Sequence, residues 1–419
     1  AAVGIVFGGG VNAQYFPTLT VEASAATTTE NGFTIDENGT LTGYTGSEVK
    51  VVIPDTIGGI EVKSIGEFAF YEKAIESITL PDTVTTIERC AFDSCKNLKE
   101  AYLPDSVETI GRKAFEGCTA LETLSLGNQT SSKLKTIGSS AFSSCKSLTE
   151  VIFPDSLRSI GGSCFSYCSE LTYIDLNEGL ETIGEFAFTG TKWIENKQKE
   201  SPFVIVNNIL IDGSACTGEI TIPSGVTTIA AFAFSTKKKT PTISPYGDEI
   251  YTYNYVHSNV TKVTCNSELK NIGDDAFWGS SNLTNVTFNE GLETIGQQSF
   301  LGCSNLDSVS LPTGIKNVGH IAFNGTKFYN NIAADNGLKI SDGVLLDGSG
   351  ASGSVVIPNT VKVIADNAFY FNTESTSYNE LTAITIPGTV EKIPEWAVVG
   401  CKNLNIVKKE EFNIENVND

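Results

Sequence analysis

The sequence predicts a β-rich solenoid, an α/β repeat array of about twelve units of about 23 residues each. Two recurring segments predict it. The first is an Ile-Gly-x-x-Ala-Phe segment, whose phenylalanines are spaced mostly 23 or 46 residues apart. The second is an I-x-L segment such as residues 78–80, whose two apolar residues point to one side of a short strand. One unit cannot bury its apolar face alone, so the units are expected to stack as parallel strands around a continuous core. The recurring phenylalanines are Phe70, Phe92, Phe115, Phe142, Phe165, Phe188, Phe234, Phe277, Phe300, Phe323 and Phe369.

The chain divides into a leader-like start, one repeat array and a short tail. The leader-like segment 1–25 begins with a small apolar stretch at residues 1–13 and ends in the small-x-small pattern of a cleavage site, although a flexible capping segment is the alternative. Residues 26–407 form the predicted solenoid, and the hairpin-like segment at about 31–53 is expected to cap its first end. The polar tail is 408–419, and the chain after Leu404 is expected to cap the other end.

Two repeats depart from the array in the same way. Residues 190–222 and 325–357 both read G-T-K-aromatic, a polar stretch, and two apolar runs that end in D-G-S. We predict a β-hairpin in each, with Asn207-Asn208 and Asp342-Gly343 at the tips. Because the two segments share one form, structure is favoured over chemistry. Some 3₁₀ or helical turns are expected at the Ile-Gly-x-x-Ala-Phe segments.

A third departure is an insertion of about 20 residues at 235–260. It carries three consecutive lysines on an acidic chain, followed by Tyr251, Tyr253 and Tyr255, which lie on one side if the segment is extended. Tyr246 and His257 extend this cluster. Exposed tyrosines are common interface anchors, so the five residues are a candidate binding site for a protein or a glycan. The alternative is a long loop that its own aromatic residues pin onto the solenoid.

The outward face of the I-x-L strands is a second candidate surface. The residue between the two apolar positions points away from the core, and threonine or serine fills most of these positions. Tyr102 is an apolar exception and is included among the candidate binding residues. Solenoids generally bind extended partners on such a surface.

Composition excludes several classes of protein. With 49 acidic and 28 basic residues the net charge is −21, so binding to nucleic acid is not expected. No run of 18 apolar residues is present, so no membrane span is predicted. Two histidines and the lack of catalytic sequence motifs predict a protein that is not an enzyme and needs no metal or other cofactor.

Six of the ten cysteines recur shortly after the closing phenylalanine of a unit. This position is buried in the repeat template, so a ladder of reduced, inert thiols is predicted. The stacking distance of about 5 Å does not forbid a disulfide. The six are Cys95, Cys118, Cys145, Cys168, Cys303 and Cys401.

The repeat I-x-L-P-x-x-V-x-x-I-G-x-x-A-F resembles the BspA-like leucine-rich repeats, also called the Treponema pallidum type, over about residues 31–407. The resemblance implies a leucine-rich-repeat array in a secreted or cell-surface bacterial protein. It also implies adhesion to host extracellular-matrix or host cell-surface proteins, with glycans as further partners. A monomer is expected. The alternatives are a structural spacer, or an accessory that binds or processes carbohydrate through the 235–260 insertion.

Overall fold

The computed structural model describes residues 27–243, 249–370, 381–394, 397–398, 401, 403–404 and 406–409. The leader-like residues 1–25, Tyr246 and the tail from residue 410 lie outside this part of the chain. The described chain winds into a β-solenoid of about fourteen turns with little helix, so the predicted fold class is confirmed.

A narrow row of strands runs along the solenoid, most of them only two residues long. Most of these strands contain the isoleucine of an Ile-Gly-x-x-Ala-Phe segment and pair in parallel with the next turn, as Ile87 does with Ile65 and Ile110. The strands are Thr40–Tyr44, Ser64–Ile65, Thr86–Ile87, Thr109–Ile110, Thr136–Ile137, Ser159–Ile160, Thr182–Ile183, Ile209–Asp212, Thr228–Ile229, Asn271–Ile272, Thr294–Ile295, Asn317–Val318, Val344–Asp347 and Val363–Ile364.

A wide row is built from the I-x-L segments. Its strands also pair in parallel, and a buried residue alternates with exposed ones in most of them. Ile406–Lys409 is its last described strand and pairs with Leu381–Ile386. The strands are Lys50–Val52, Ser77–Thr79, Glu100–Tyr102, Thr123–Ser125, Glu150–Ile152, Tyr173–Asp175, Thr217–Thr221, Asn259–Thr264, Asn285–Thr287, Gly353–Val356, Leu381–Ile386 and Ile406–Lys409.

The turn after each narrow strand is not the 3₁₀ or helical turn that the sequence suggested. The residue two positions before the closing phenylalanine has a positive φ, a left-handed conformation that a 3₁₀ helix does not contain. Backbone N–H groups of this turn donate to the next turn instead, as Phe70 N does to Ala91 O at 2.8 Å. The left-handed residues are Phe68, Cys90, Lys113, Ser140, Ser163, Phe186, Phe232, Asp275, Gln298, Ile321 and Asn367.

The closing phenylalanines stack inside the solenoid. Phe92, Phe115, Phe142 and Phe165 are fully buried, and neighbouring ring centroids lie 4.8 to 5.2 Å apart with nearly parallel planes. This ladder explains the period of the sequence, because each ring covers the ring of the preceding turn. Its geometry is the offset-stacked arrangement that aromatic rings favour.

Antiparallel hairpins modify the array at the predicted places. At the first end, Thr27–Glu30 and Phe33–Asp36 pair with each other, and Phe33–Asp36 pairs with Thr40–Tyr44. Thr56–Ile57 and Ile60–Glu61 form a small second hairpin.

Both hairpin repeats are confirmed. Val204–Val206 pairs with Ile209–Asp212 around Asn207-Asn208, and Lys339–Ser341 pairs with Val344–Asp347 around Asp342-Gly343.

Two helices in these repeats were not predicted. Lys192–Glu200 and Lys327–Asn331 form where the polar stretch follows G-T-K-aromatic. Each begins after a threonine, Thr191 or Thr326, whose hydroxyl accepts a backbone N–H of the first turn and so acts as the N-cap.

The ten cysteines are free, and nine of them are buried. In the six-membered ladder, each thiol donates to the carbonyl of a closing phenylalanine in the preceding turn, as Cys118 does to Phe92 O at 3.2 Å. Burial raises the pKa of Cys95 and Cys303 to about 12, which disfavours the reactive thiolate.

Candidate binding surface

The insertion is a two-stranded antiparallel hairpin that follows directly on Phe234. Its strands, Ser235–Ile243 and Glu249–His257, pair from Ser235 with His257 to Ile243 with Glu249. Threonine recurs in the first strand and tyrosine in the second, and both residue types favour β structure. Within the described residues no third strand joins this sheet.

A cluster of aromatic residues holds the base of this insertion hairpin against the solenoid. The centroid of the Tyr255 ring lies 5.6 Å from that of Phe232 and 5.8 Å from that of Phe186. Trp278 meets both Tyr255 and His257 edge-on at 5.1 Å. We call these five residues the base cluster. Tyr255 is 37% exposed, so much of its surface is used inside the molecule.

The geometry of two solenoid turns places Phe186 and Phe232 in the base cluster. Phe186 and Phe232 both occupy the left-handed position of their turns, and their rings lie 4.9 Å apart. Sequence reasoning missed these two residues. The available signal was an aromatic residue at a position where most other turns carry a polar one.

His257 and Ser235 form a pair at the first register position of the hairpin. Ser235 Oγ lies 2.9 Å from His257 Nδ1, a spacing compatible with a nucleophile and a base. Ser235 is only 3% exposed, so its hydroxyl is closed to a substrate. Burial lowers the pKa of His257, which favours its neutral form at neutral pH. The pair therefore has a structural role, since its hydrogen bond joins the two strands at the base of the hairpin.

The remaining predicted tyrosines of the insertion lie farther along the hairpin. Tyr253 is paired with Lys239 and Tyr251 with Pro241, so both follow the same strand alternation as Tyr255. Tyr246 lies outside the described residues. The structure therefore places Tyr255 and His257 together in the base cluster and leaves Tyr251 and Tyr253 beyond it.

Tyr102 lies on the outward face of the wide row, far from the base cluster in sequence. It stands in register between Thr79 and Ser125 and is 42% exposed. Other exposed apolar side chains are spread along this face. They are Val52, Ile152, Tyr173 and Val356.

Neither a metal centre nor a membrane helix is found in the described chain. Among its residues, no group of three His, Cys, Asp or Glu side chains is arranged to hold a metal ion. None of its helices combines the length and the apolar character needed to cross a bilayer.

A solenoid of short parallel strands built from repeats of about 23 residues places the chain in the class of leucine-rich-repeat proteins. The model of the family described as "BspA type Leucine rich repeat region (6 copies)" matches residues 63–192, 127–241, 248–376 and 373–419. These matches cover well over half of the chain, so the chain belongs to this family, and the resemblance stated from the sequence is confirmed.

Several solved structures are similar to this chain over most of its length. A leucine-rich cell surface protein from Faecalibacterium prausnitzii is 23% identical over 93% of this chain and 96% of its own, with a TM-score of 0.37. The pneumococcal vaccine antigen PcpA is 19% identical over 92% and 99%, with a TM-score of 0.41. The T. pallidum leucine-rich-repeat protein is 23% identical over 65% and 86%, with a TM-score of 0.30. A comparison with curated proteins gave no significant match.

Proposed function

We propose that this chain is a secreted or cell-surface bacterial protein that binds host extracellular-matrix or host cell-surface proteins without catalysis, as an adhesin does. The insertion hairpin is the observation that carries the proposal. It interrupts an otherwise regular array, and the base cluster fixes where its two nine-residue strands leave the solenoid.

Two physical features favour protein recognition by this hairpin. A fixed base reduces the entropy that is lost when a partner binds, so more of the contact energy appears as affinity. An uncovered strand edge can also accept an extended segment of a partner through backbone hydrogen bonds. The outward face of the wide row, including Tyr102, would add a second region of contact.

The test is a binding screen of the intact chain against immobilised matrix proteins, by surface plasmon resonance. The variant Tyr251→Ala/Tyr253→Ala alters the hairpin beyond the base cluster and leaves Tyr255 in place. Tyr102→Ala tests the second region of contact separately and is expected to have the smaller effect. We expect the double variant to lose at least tenfold in affinity, about 1.4 kcal/mol, with an unchanged melting temperature.

The other outcomes separate the alternatives. If only Tyr102→Ala weakens binding, the wide row carries recognition and the hairpin does not. If the intact chain binds none of the matrix or cell-surface proteins, the adhesin proposal fails and a structural spacer is favoured.

A further inference from the structure

A cleft of about 590 Å³ lies between the base of the insertion hairpin and the helix Lys192–Glu200. Three lysines, the Tyr167 ring and the Asp212 carboxyl group contribute to its lining. A cleft of this size with a few polar groups among apolar ones is typical of small-molecule sites. Sequence analysis did not identify it, since its residues come from four separate turns.

Asp212 is the unusual group in this cleft. It is 9% exposed, and all its hydrogen bonds end on one oxygen. Oδ1 accepts from Ser214 N at 2.9 Å, from Ser214 Oγ at 2.8 Å and from Gln198 Nε2 at 3.2 Å. No residue of the described chain donates to Oδ2. Oδ2 is not fully enclosed by the protein, so it can accept a hydrogen bond from a molecule in the cleft.

In the second hairpin repeat, both carboxylate oxygens of the equivalent aspartate, Asp347, accept hydrogen bonds. Asp347 Oδ1 accepts from Ser349 N at 2.7 Å, as Asp212 Oδ1 does from Ser214 N. Asp347 Oδ2 accepts from the Tyr329 hydroxyl at 2.5 Å.

Ile194 stands where Tyr329 stands, because each donates its backbone N–H to the N-cap threonine of its helix. The isoleucine side chain has no hydrogen-bond donor, so Asp212 Oδ2 has no partner among the described residues of the first repeat. The cavity at the second repeat is also smaller, about 290 Å³.

The cleft is lined by more cations than carboxylates, although the net charge of the chain is −21. Most lysines of the described solenoid that form salt bridges pair with a glutamate of a neighbouring turn, as Lys135 does with Glu108. Lys146 and Lys238 line the cleft and take part in none of the salt bridges found among the described residues. Lys237 is a third cation on this lining, and Glu195 is its second carboxylate.

We propose that the cleft binds an acidic saccharide. A ring hydroxyl donates to Asp212 Oδ2, and the carboxylate or sulfate of the sugar pairs with Lys146 and Lys238. Tyr167 supplies an aromatic surface for the sugar ring. The site includes Lys238 of the hairpin, but Lys146, Ile194 and Asp212 lie outside it, so Ile194→Tyr tests the site without changing the hairpin that the protein-binding proposal uses.

Isothermal titration calorimetry of the full chain tests this proposal. The ligands are 3′-sialyllactose, a hyaluronan tetrasaccharide and a heparin-derived tetrasaccharide, which present a sialic acid, a uronate and sulfates. Lactose is the neutral control. We expect at least one acidic ligand to bind at least tenfold more tightly than lactose, and to bind more weakly as the salt concentration rises.

Two variants and a matched control locate the site. Ile194→Tyr places a phenol beside Asp212, as Tyr329 is placed beside Asp347, and is expected to reduce affinity at least tenfold. Lys146→Ala/Lys238→Ala changes only exposed side chains, so it tests the charge even if the tyrosine variant fails to fold. Asp347→Asn alters the equivalent aspartate of the second repeat and should leave binding unchanged.

Three results would overturn the proposal. They are the absence of binding by every acidic ligand, equal binding of lactose, and full affinity in a folded lysine double variant. Loss of binding in Asp347→Asn alone would move the site to the second repeat and also contradict it. None of these results bears on the tyrosine variants of the hairpin, so the two proposals can fail separately.

Discussion

The turn after a narrow strand contains a non-glycine residue at a positive φ and a glycine at an ordinary φ. Ser140 has a φ of +58°, which is unfavourable for a side chain. Gly161 has no such φ, but a Cβ there would lie 2.4 Å from the Ser139 backbone nitrogen. The glycine of Ile-Gly is thus required by the close approach of the preceding turn, and not by the corner itself.

This difference predicts opposite effects on stability when a glycine is introduced at residue 140 and when one is removed at residue 161. Ser140→Gly relieves the left-handed strain but gains chain entropy when unfolded, so it should stabilise the fold or leave it within about 1 kcal/mol. Gly161→Ala should destabilise it by about 1–3 kcal/mol through overpacking. Urea unfolding measures both, and a loss of more than about 1 kcal/mol in Ser140→Gly would contradict the account.

The cysteine ladder gives a prediction about pH. Burial raises the pKa of Cys95, Cys265 and Cys303 to about 12, whereas an unfolded thiol titrates near 8.5. The unfolded chain therefore releases protons first as the pH rises. The stability that these neutral thiols contribute is complete below about pH 8.5 and is lost between there and pH 12.

Ellman's reagent at pH 8 checks the state of these thiols. The native chain should react at no more than one cysteine, the half-buried Cys401, and the unfolded chain at all ten. A Cys401→Ser variant is the control and should remove the fast reaction. Rapid reaction of several native thiols would show that the ladder is open to solvent.

At the scale of elements, the insertion hairpin should be held by its base cluster. Tyr255→Ala removes the ring that contacts Phe186, Phe232 and Trp278. Amide hydrogen exchange should then accelerate at least tenfold in Ser235–Ile243, while the melting temperature of the solenoid changes by only a few degrees. Tyr102→Ala, on the wide row, should leave exchange in the hairpin unaltered. An equal loss of protection throughout the chain would mean that the cluster supports the core and not the hairpin alone.

Elements with a strong period could be predicted from the sequence, and those set by tertiary contacts could not. Phenylalanines 23 residues apart predicted the stacked repeat units, and Asn207-Asn208 predicted a hairpin tip, because both signals are local. The helix Lys192–Glu200 was missed since its short polar sequence has no clear apolar stripe. The cleft was missed for another reason, since the free oxygen of Asp212 depends on a comparison of Ile194 with Tyr329 that only the folded repeats reveal.

On the scale of the whole molecule, the buried core consists of two apolar clusters that meet at the first hairpin repeat. The first extends from Phe33 to Val206 and the second from Ile209 to Ala397. The boundary falls within one hairpin, between Val204–Val206 and Ile209–Asp212, and Ile211 packs against both clusters. In a solenoid, each turn contacts only its neighbours, so stability is roughly a sum of local terms.

The boundary should therefore separate two unfolding units. Phe115→Ala, in the middle of the first cluster, should cost about 3–5 kcal/mol there. Hydrogen exchange should then accelerate in the narrow strands from Ser64–Ile65 to Thr182–Ile183, while those from Asn271–Ile272 to Val363–Ile364 keep their protection. Phe300→Ala is the mirror control and should give the reverse pattern. If either variant lowers protection equally on both sides of residues 206–209, the hairpin transmits the loss of packing and the solenoid unfolds as one unit.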